Sequence, residues 1–516
     1  MMPRSSGLLL PIFSLPSAWG IGSLGPEAYA FVDFLADLHQ SYWQVLPLGP
    51  TNSTAGHSPY SAMSSFAGNP YLIDLQDLIQ EGLLSQEACS EADWGERADW
   101  IDYEKIEANK LALLRRAFDA FQAQERPSAY DHFCKDHQDW LEDYALYQAI
   151  RALHGSDWLA WPEDLKRREP QGLQQFIQAH QSELDFERFL QYTFFRQYGA
   201  LKQYANQKGI KMIGDLPIYM PMDSADCWAH PEYFQLDADL RPRMVSGVPP
   251  DGYSPDGQRW NHPLYDWDKL AEESYAYWVF RVRHQMALFD VLRLDHFIGF
   301  IHYYAIPAAE KTAKNGTWLP GPGQALFDRL QAEIPELNLI IEDLGTVTPA
   351  VRDLQKKLAF PGMRVIQFAF GGDDSDNLPH NYEKNAVVYS STHDSDTFLG
   401  WYEQHSEEDR QRIAHYLQLQ DQEGIHWGAI RALLASVCRL TIFPVQDLFG
   451  LGNEARINVP GIASGNWAWR LALEDQNGEI KRRMLDYMKT YYRAPREESE
   501  VKSDSGGEAP GSVEME

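Results

Sequence analysis

The chain has 516 residues, 44% hydrophobic and 23% charged, so it is long enough for a large buried core, and wholesale disorder, a collagen-like fibre and a disulfide scaffold are excluded. Its 74 acidic residues against 45 basic ones give a formal net charge of −29, which argues against nucleic acid or an anionic membrane as a partner. Four isolated cysteines, Cys89, Cys134, Cys227 and Cys438, show no paired or metal-type spacing and fit a reducing, cytoplasmic setting with no metal or other cofactor.

Residues 7–15 open the chain as an apolar run behind Arg4. The run mimics a short signal peptide, but Pro11 interrupts it and no small-residue cleavage site follows, so it reads as a first strand. No run approaches the ~20 apolar residues that a membrane span needs. A helix is expected over 26–39, where Pro26 and Glu27 occupy the first turn. The second strand is expected at 42–48, a helix at 189–207, and the third strand at 211–219. A helix at 270–288 leads to strand four at 291–297, and one at 324–333 to strand five at 337–344. The helix 349–358 precedes strand six at 363–370, followed by strands seven at 386–391 and eight at 440–448.

Eight strands alternating with helices are the pattern of an α/β fold, the (β/α)8 TIM barrel, which needs ~250 residues. About half of this chain is therefore insertion. The larger insertion, about 57–184, carries helical patterns at 106–122 and 137–153. A second, about 220–267, is rich in Pro, Gly, Asp and aromatics and reads as a long surface loop. The barrel with its insertions takes 1–494, and the Ser, Gly and Glu-rich remainder, 495–516, is expected to be a disordered acidic tail.

Chemistry in such barrels sits at the C-terminal strand ends, and three of the runs deliver a carboxylate to that rim: Asp295 at the end of strand four, Glu342 at the end of strand five and Asp394 just past strand seven. Convergent carboxylates suggest glycoside chemistry, in which one ionised acid attacks the anomeric carbon and a protonated one donates to the leaving oxygen. Arg293 lies two residues before Asp295 and so shares its face of the strand, where its cation would hold Asp295 ionised as a nucleophile. Negative neighbours would keep Glu342 protonated as general acid, leaving Asp394 to stabilise positive charge on the sugar ring. Asp343 and Asp215 are weaker candidates, Asp215 either binding sugar or ordering its loop. His296 and His393 are candidate donors to sugar hydroxyls, with structural histidines as the alternative. Tyr60, Tyr253 and Trp260 fall among glycines and prolines and offer rings on which the apolar faces of sugars stack.

Seven segments together resemble the amylomaltases, the 4-α-glucanotransferases or disproportionating enzymes of the α-amylase clan. They are residues 58–60 (SPY), 214–219 (GDLPIY), 257–260 (GQRW), 293–297 (RLDHF), 342–345 (EDLG), 378–382 (LPHNY) and 392–394 (THD). The resemblance runs to about Arg493. It implies retaining transfer of α-1,4-glucan segments between maltooligosaccharides, with Asp295 as nucleophile, Glu342 as acid/base and Asp394 as stabiliser. It also implies substrate contacts at Tyr60, Asp215, Trp260, Arg293, His296 and His393. The chain departs from the family's usual residues at Asn261, Ile298 and Ser395, where Gly, Arg and Asn are usual. A bacterial cytoplasmic enzyme is expected rather than a plastid precursor.

Three other functions stay open at this point. A plain α-glucan hydrolase would use the same triad, and a glucan-binding scaffold would need only the aromatics. A metal-dependent hydrolase would use His57, His296, His393 and Asp394 as ligands, although no H-x-H pair supports it.

Overall fold

The computed structural model describes residues 4–251, 254–345, 347–371, 374–462, 464–472 and 477–495; Tyr253 and residues 496–516 of the acidic tail lie outside them. Eight parallel strands close into a barrel in sequence order. They are β1 (Ser5–Leu9), β2 (Tyr42–Gln44), β3 (Lys211–Leu216), β4 (Val291–Leu294), β5 (Leu339–Ile341), β6 (Gly362–Val365), β7 (Ala386–Tyr389) and β8 (Leu440–Pro444). β1 pairs with β2 on one side and β8 on the other, so the apolar run expected as the first strand does open the barrel, but the strand spans Ser5–Leu9 rather than 7–15. Every strand stops short of the end of its apolar run. Pro11, Pro47 and Pro217, which have no amide hydrogen to continue a ladder, stand just past the ends of β1, β2 and β3. After β8 the apolar run continues as a short helix, Val445–Phe449.

Inward positions follow the two-residue period of a strand. Leu9, Tyr42, Ile213, Val291, Ile340, Met363, Val387 and Leu440 supply one side chain each to the barrel interior. Gly7 leaves room beside Tyr42: a Cβ on Gly7 would lie 2.6 Å from the Tyr42 Cβ, so the large ring of β2 fills the space that β1 leaves empty. The same parity carries Asp215, Arg293 and Glu342 to the inward face at the C-terminal rim.

Helices cover the outside, among them Pro26–Asp37, Gln181–Gln207, Ala276–Leu288, Gly323–Glu333 and Pro349–Leu358. Helix Gln181–Gln207 starts well before the expected residue 189, so one 27-residue rod joins the insertion to the barrel. Residues 57–184 contain, among others, Leu111–Gln122 and Gln138–His154. The crossover from β6 to β7 has no α-helix among its described residues, only the 3-10 turns Ile366–Ala369 and Pro379–Asn381, in a stretch dense in Asp, Ser and Asn.

Residues 220–267 form more than a loop. Gln258–Pro263 and Met244–Val248 join His302–Pro307 and Thr317–Pro320 in a four-stranded antiparallel sheet. Two of those strands lie beyond β4, so the partners that give the segment its order are remote in sequence. Among the described residues no helix is long and apolar enough to cross a membrane.

Candidate active site

The barrel register sets the first two carboxylates side by side. Leu294 of β4 pairs with Ile341 of β5, so Asp295 and Glu342 are the next residues on adjacent strands, where neighbouring positions lie about 5 Å apart. The chain then turns sharply. His296 takes a left-handed backbone at φ 50°, and its amide donates to Glu342 Oε2 at 2.9 Å, while the Leu344 amide donates to Oε1 at 2.7 Å.

Arg293 organises the floor. Its Nη1 lies 2.7 Å from both oxygens of Asp215, its register partner on β3, and 2.8 Å from Asp295 Oδ1. Burial alone would weaken the guanidinium's hold on its proton, but the Asp215 and Asp295 carboxylates more than reverse that, so Arg293 stays charged. Tyr60 donates its hydroxyl to Asp215 Oδ2 at 2.7 Å and stacks on His393 with centroids 5.1 Å apart and planes at 13°.

Asp394 arrives differently, five residues beyond the end of β7 and on irregular backbone. Its Oδ1 accepts from Asn458 Nδ2 at 2.7 Å, and Oδ2 lies 3.1 Å from His393 Nε2. The side chain remains 47% exposed at the barrel mouth.

These surroundings push the carboxyls apart. Burial, first, and then the negative charge of Asp295 raise Glu342 to about 7 despite Arg293, so burial outweighs the negative neighbours expected to do this. Desolvation opposes ionisation of Asp394 as well, but His393 and the Asn458 hydrogen bond bring it down to about 2. Burial lowers His296 to about 4 and so keeps it neutral, and its buried Nε2 has no hydrogen-bond partner among the described residues. His393 shifts up instead: burial pulls it down, and the adjoining Asp394 carboxylate more than compensates.

Trp260 sits on strand Gln258–Pro263, its ring edge-on to His296 at 4.9 Å and its indole Nε1 donating to Gln258 Oε1 at 3.1 Å. Tyr60, Asp215, Trp260, Arg293, His296 and His393 are thus linked by direct contacts to one another or to the three carboxylates. Asp343 is not part of the group: it accepts from the Met363 amide and pairs with Arg364 at 3.1 Å, fixing β5 to β6. His57 stacks on Tyr103 at 3.9 Å, and among the described residues no three His, Cys, Asp or Glu side chains gather into a cluster able to hold a metal ion.

The three departures have local explanations in part. Asn261 takes φ 65°, a left-handed conformation that asparagine tolerates better than other residues with a Cβ. The Ser395 hydroxyl accepts from the Thr392 amide at 3.0 Å, closing the turn that carries Asp394. Ile298 is buried in the turn Phe297–Phe300, and nothing in its surroundings explains it. Asn458, which bonds Asp394, and Trp467, whose ring centroid lies 5.8 Å from that of Tyr60 and 6.2 Å from that of His393, join the site from a stretch where no short-range spacing in the sequence points to them.

A sequence model of glycoside hydrolase family 77, described as 4-alpha-glucanotransferase, matches residues 10–474. The 4-alpha-glucanotransferase of Aquifex aeolicus is 45% identical over 469 residues, 91% of this chain and 95% of that protein. That of Thermus thermophilus is 44% identical over 500 residues, covering 94% and 99%. The amylomaltase from Streptococcus agalactiae, solved in complex with acarbose, superposes with a TM-score of 0.93 at 36% identity, covering 95% of this chain and all of that one.

Proposed function

The chain belongs to the 4-alpha-glucanotransferases of glycoside hydrolase family 77 and is a 4-α-glucanotransferase, and we propose that Asp295, Glu342 and Asp394 carry its reaction on α-1,4-glucans and maltooligosaccharides. Asp295 attacks the anomeric carbon of the donor as that carbon's bond to the leaving glucan breaks, and Glu342 passes its proton to the departing 4-oxygen. A covalent glycosyl ester on Asp295 results. Asp394 balances the positive charge that builds on the ring, and Arg293 holds Asp295 and Asp215 in place. An acceptor's 4-hydroxyl then attacks the same carbon, Glu342 takes its proton, and Asp295 is released. One α-1,4 bond has been broken and one formed, with retention.

The observation that carries this reading is the register that sets Asp295, paired with Arg293 at 2.8 Å, beside the buried Glu342, whose carboxyl burial lifts to about 7, which suits one to stay an anion and the other to donate a proton. Transfer prevails over hydrolysis if acceptor binding displaces water at ~55 M from the covalent ester. Trp260, edge-on to His296, whose amide bonds Glu342, is suited to hold that acceptor. We place the enzyme in the cytoplasm, as its cysteine usage suggests.

The test is incubation of the purified protein with maltotriose and separation of the products. Glucose together with a ladder of longer maltooligosaccharides, at a constant number of reducing ends, is expected. Shorter sugars alone, with reducing ends rising, would mean a hydrolase instead.

A further inference from the structure

Two of the three carboxylates follow directly from barrel strands, but Asp394 lies five residues past the end of β7, where the sheet no longer fixes the chain. Something else must hold it. The Arg456 guanidinium reaches both sides of the problem. Its Nη2 donates to the Asp394 carbonyl at 2.9 Å, and its Nη1 pairs with the Asp396 carboxylate, which secures the turn. Its Nε donates to the Asn458 carbonyl at 2.7 Å, and the Asn458 side chain in turn donates to Asp394 Oδ1 at 2.7 Å. A second tie runs in parallel, from the Thr397 amide to Asn453 Oδ1 at 3.2 Å. One cation thus holds the turn that presents Asp394 and the main chain that presents its hydrogen-bond donor.

We propose that Arg456 is a positioning residue for the reaction, fixing the Asp394 carboxylate against the reacting sugar by clamping residues 394–396 to Asn458. This rests on the role proposed for Asp394 above. A guanidinium suits the task because its rigid fork addresses three acceptors in different directions, whereas the point charge of a lysine cannot. Arg456 makes no hydrogen bond or ion pair with Asp295 or Glu342 among the described residues, so its loss should appear in the chemical step rather than in substrate binding.

The test is a double-mutant cycle on the full chain, with steady-state rates on maltotriose and on α-maltosyl fluoride, a donor whose leaving group needs no proton and which keeps slow variants measurable. Arg456→Met and Arg456→Lys should each lower kcat about tenfold or more while KM changes less than about threefold. In an Asp394→Asn background the same replacements should cost less than about twofold, because the group that Arg456 positions is already gone. Asn458→Ala should show the same dependence on Asp394, and it decides the matter if the Arg456 variants do not fold. An equal loss in both backgrounds, or a rise in KM with kcat unchanged, would overturn the proposal. Wild-type turnover by Asp394→Asn alone would bring down the role of Asp394, and this inference with it.

Discussion

The raised pKa of Glu342 makes a quantitative prediction about pH. In the general-acid role proposed for it, Glu342 must carry a proton when the donor bond breaks, so kcat/KM for the donor should fall as pH rises through the Glu342 value. At the ordinary 4.5 only about 0.1% of the carboxyl would be protonated at pH 7.5; at about 7 the share is about a quarter, roughly a 200-fold gain from the site's surroundings. Burial is the main cause and Asp295 the second, so the gain belongs to the folded chain. The same shift has a stability consequence. Between about pH 4.5 and 7 the folded state holds a proton on Glu342 that the unfolded state has lost, so this group's contribution to stability is greatest below that window, declines across it and levels off above about 7. The assay is kcat/KM against pH with maltotriose and with α-maltosyl fluoride. A basic limb near pH 7 is expected for maltotriose, and it should vanish for the fluoride, whose departure needs no acid. A limb near 4.5 would refute the raised value, and a limb near 7 that persists with the fluoride would assign the proton to another group.

Other variants follow from the same geometry. Asp295→Asn should abolish turnover while glucan binding, followed by calorimetry, stays measurable, since the shape is kept and the nucleophile lost; near-normal turnover would exclude the role. Trp260→Ala should raise the ratio of hydrolysis to transfer several-fold in product analysis, whereas equal loss of both reactions would assign Trp260 to the donor or the fold. Gly7→Val should destabilise the barrel by about 1–3 kcal/mol or more in chemical denaturation, since the added side chain meets Tyr42 and Ile442; wild-type stability would mean the interior gives way more easily than its packing suggests.

What could be read from the residues alone was what is local along a strand. The inward parity that lines up Arg293 with Asp295, and the polar residue that abruptly ends an apolar run, are two-residue and one-residue signals, and they reach from Asp295 to Glu342 because parallel neighbours stay in register. The ladders stop before the apolar runs do, because rim residues such as Leu46 and Leu48 are buried as well and hydrophobicity does not drop where the hydrogen bonding ends. Residues 220–267 were expected as loop because the strand that completes their sheet, His302–Pro307, lies beyond β4. The support of Asp394 was invisible for a related reason. Arg456 and Asn458 reach it across more than 60 residues through side-chain hydrogen bonds on irregular backbone, which leave no periodicity to detect.

The most direct test of the reaction route is to react Glu342→Gln with α-maltosyl fluoride, then digest the protein and map it by mass spectrometry. Without its acid/base the variant should form the glycosyl ester and turn it over slowly. A maltosyl mass on the peptide that contains Asp295 is the expected result. A label on any other residue, or no label together with product of inverted anomeric configuration, would contradict a retaining transfer through Asp295.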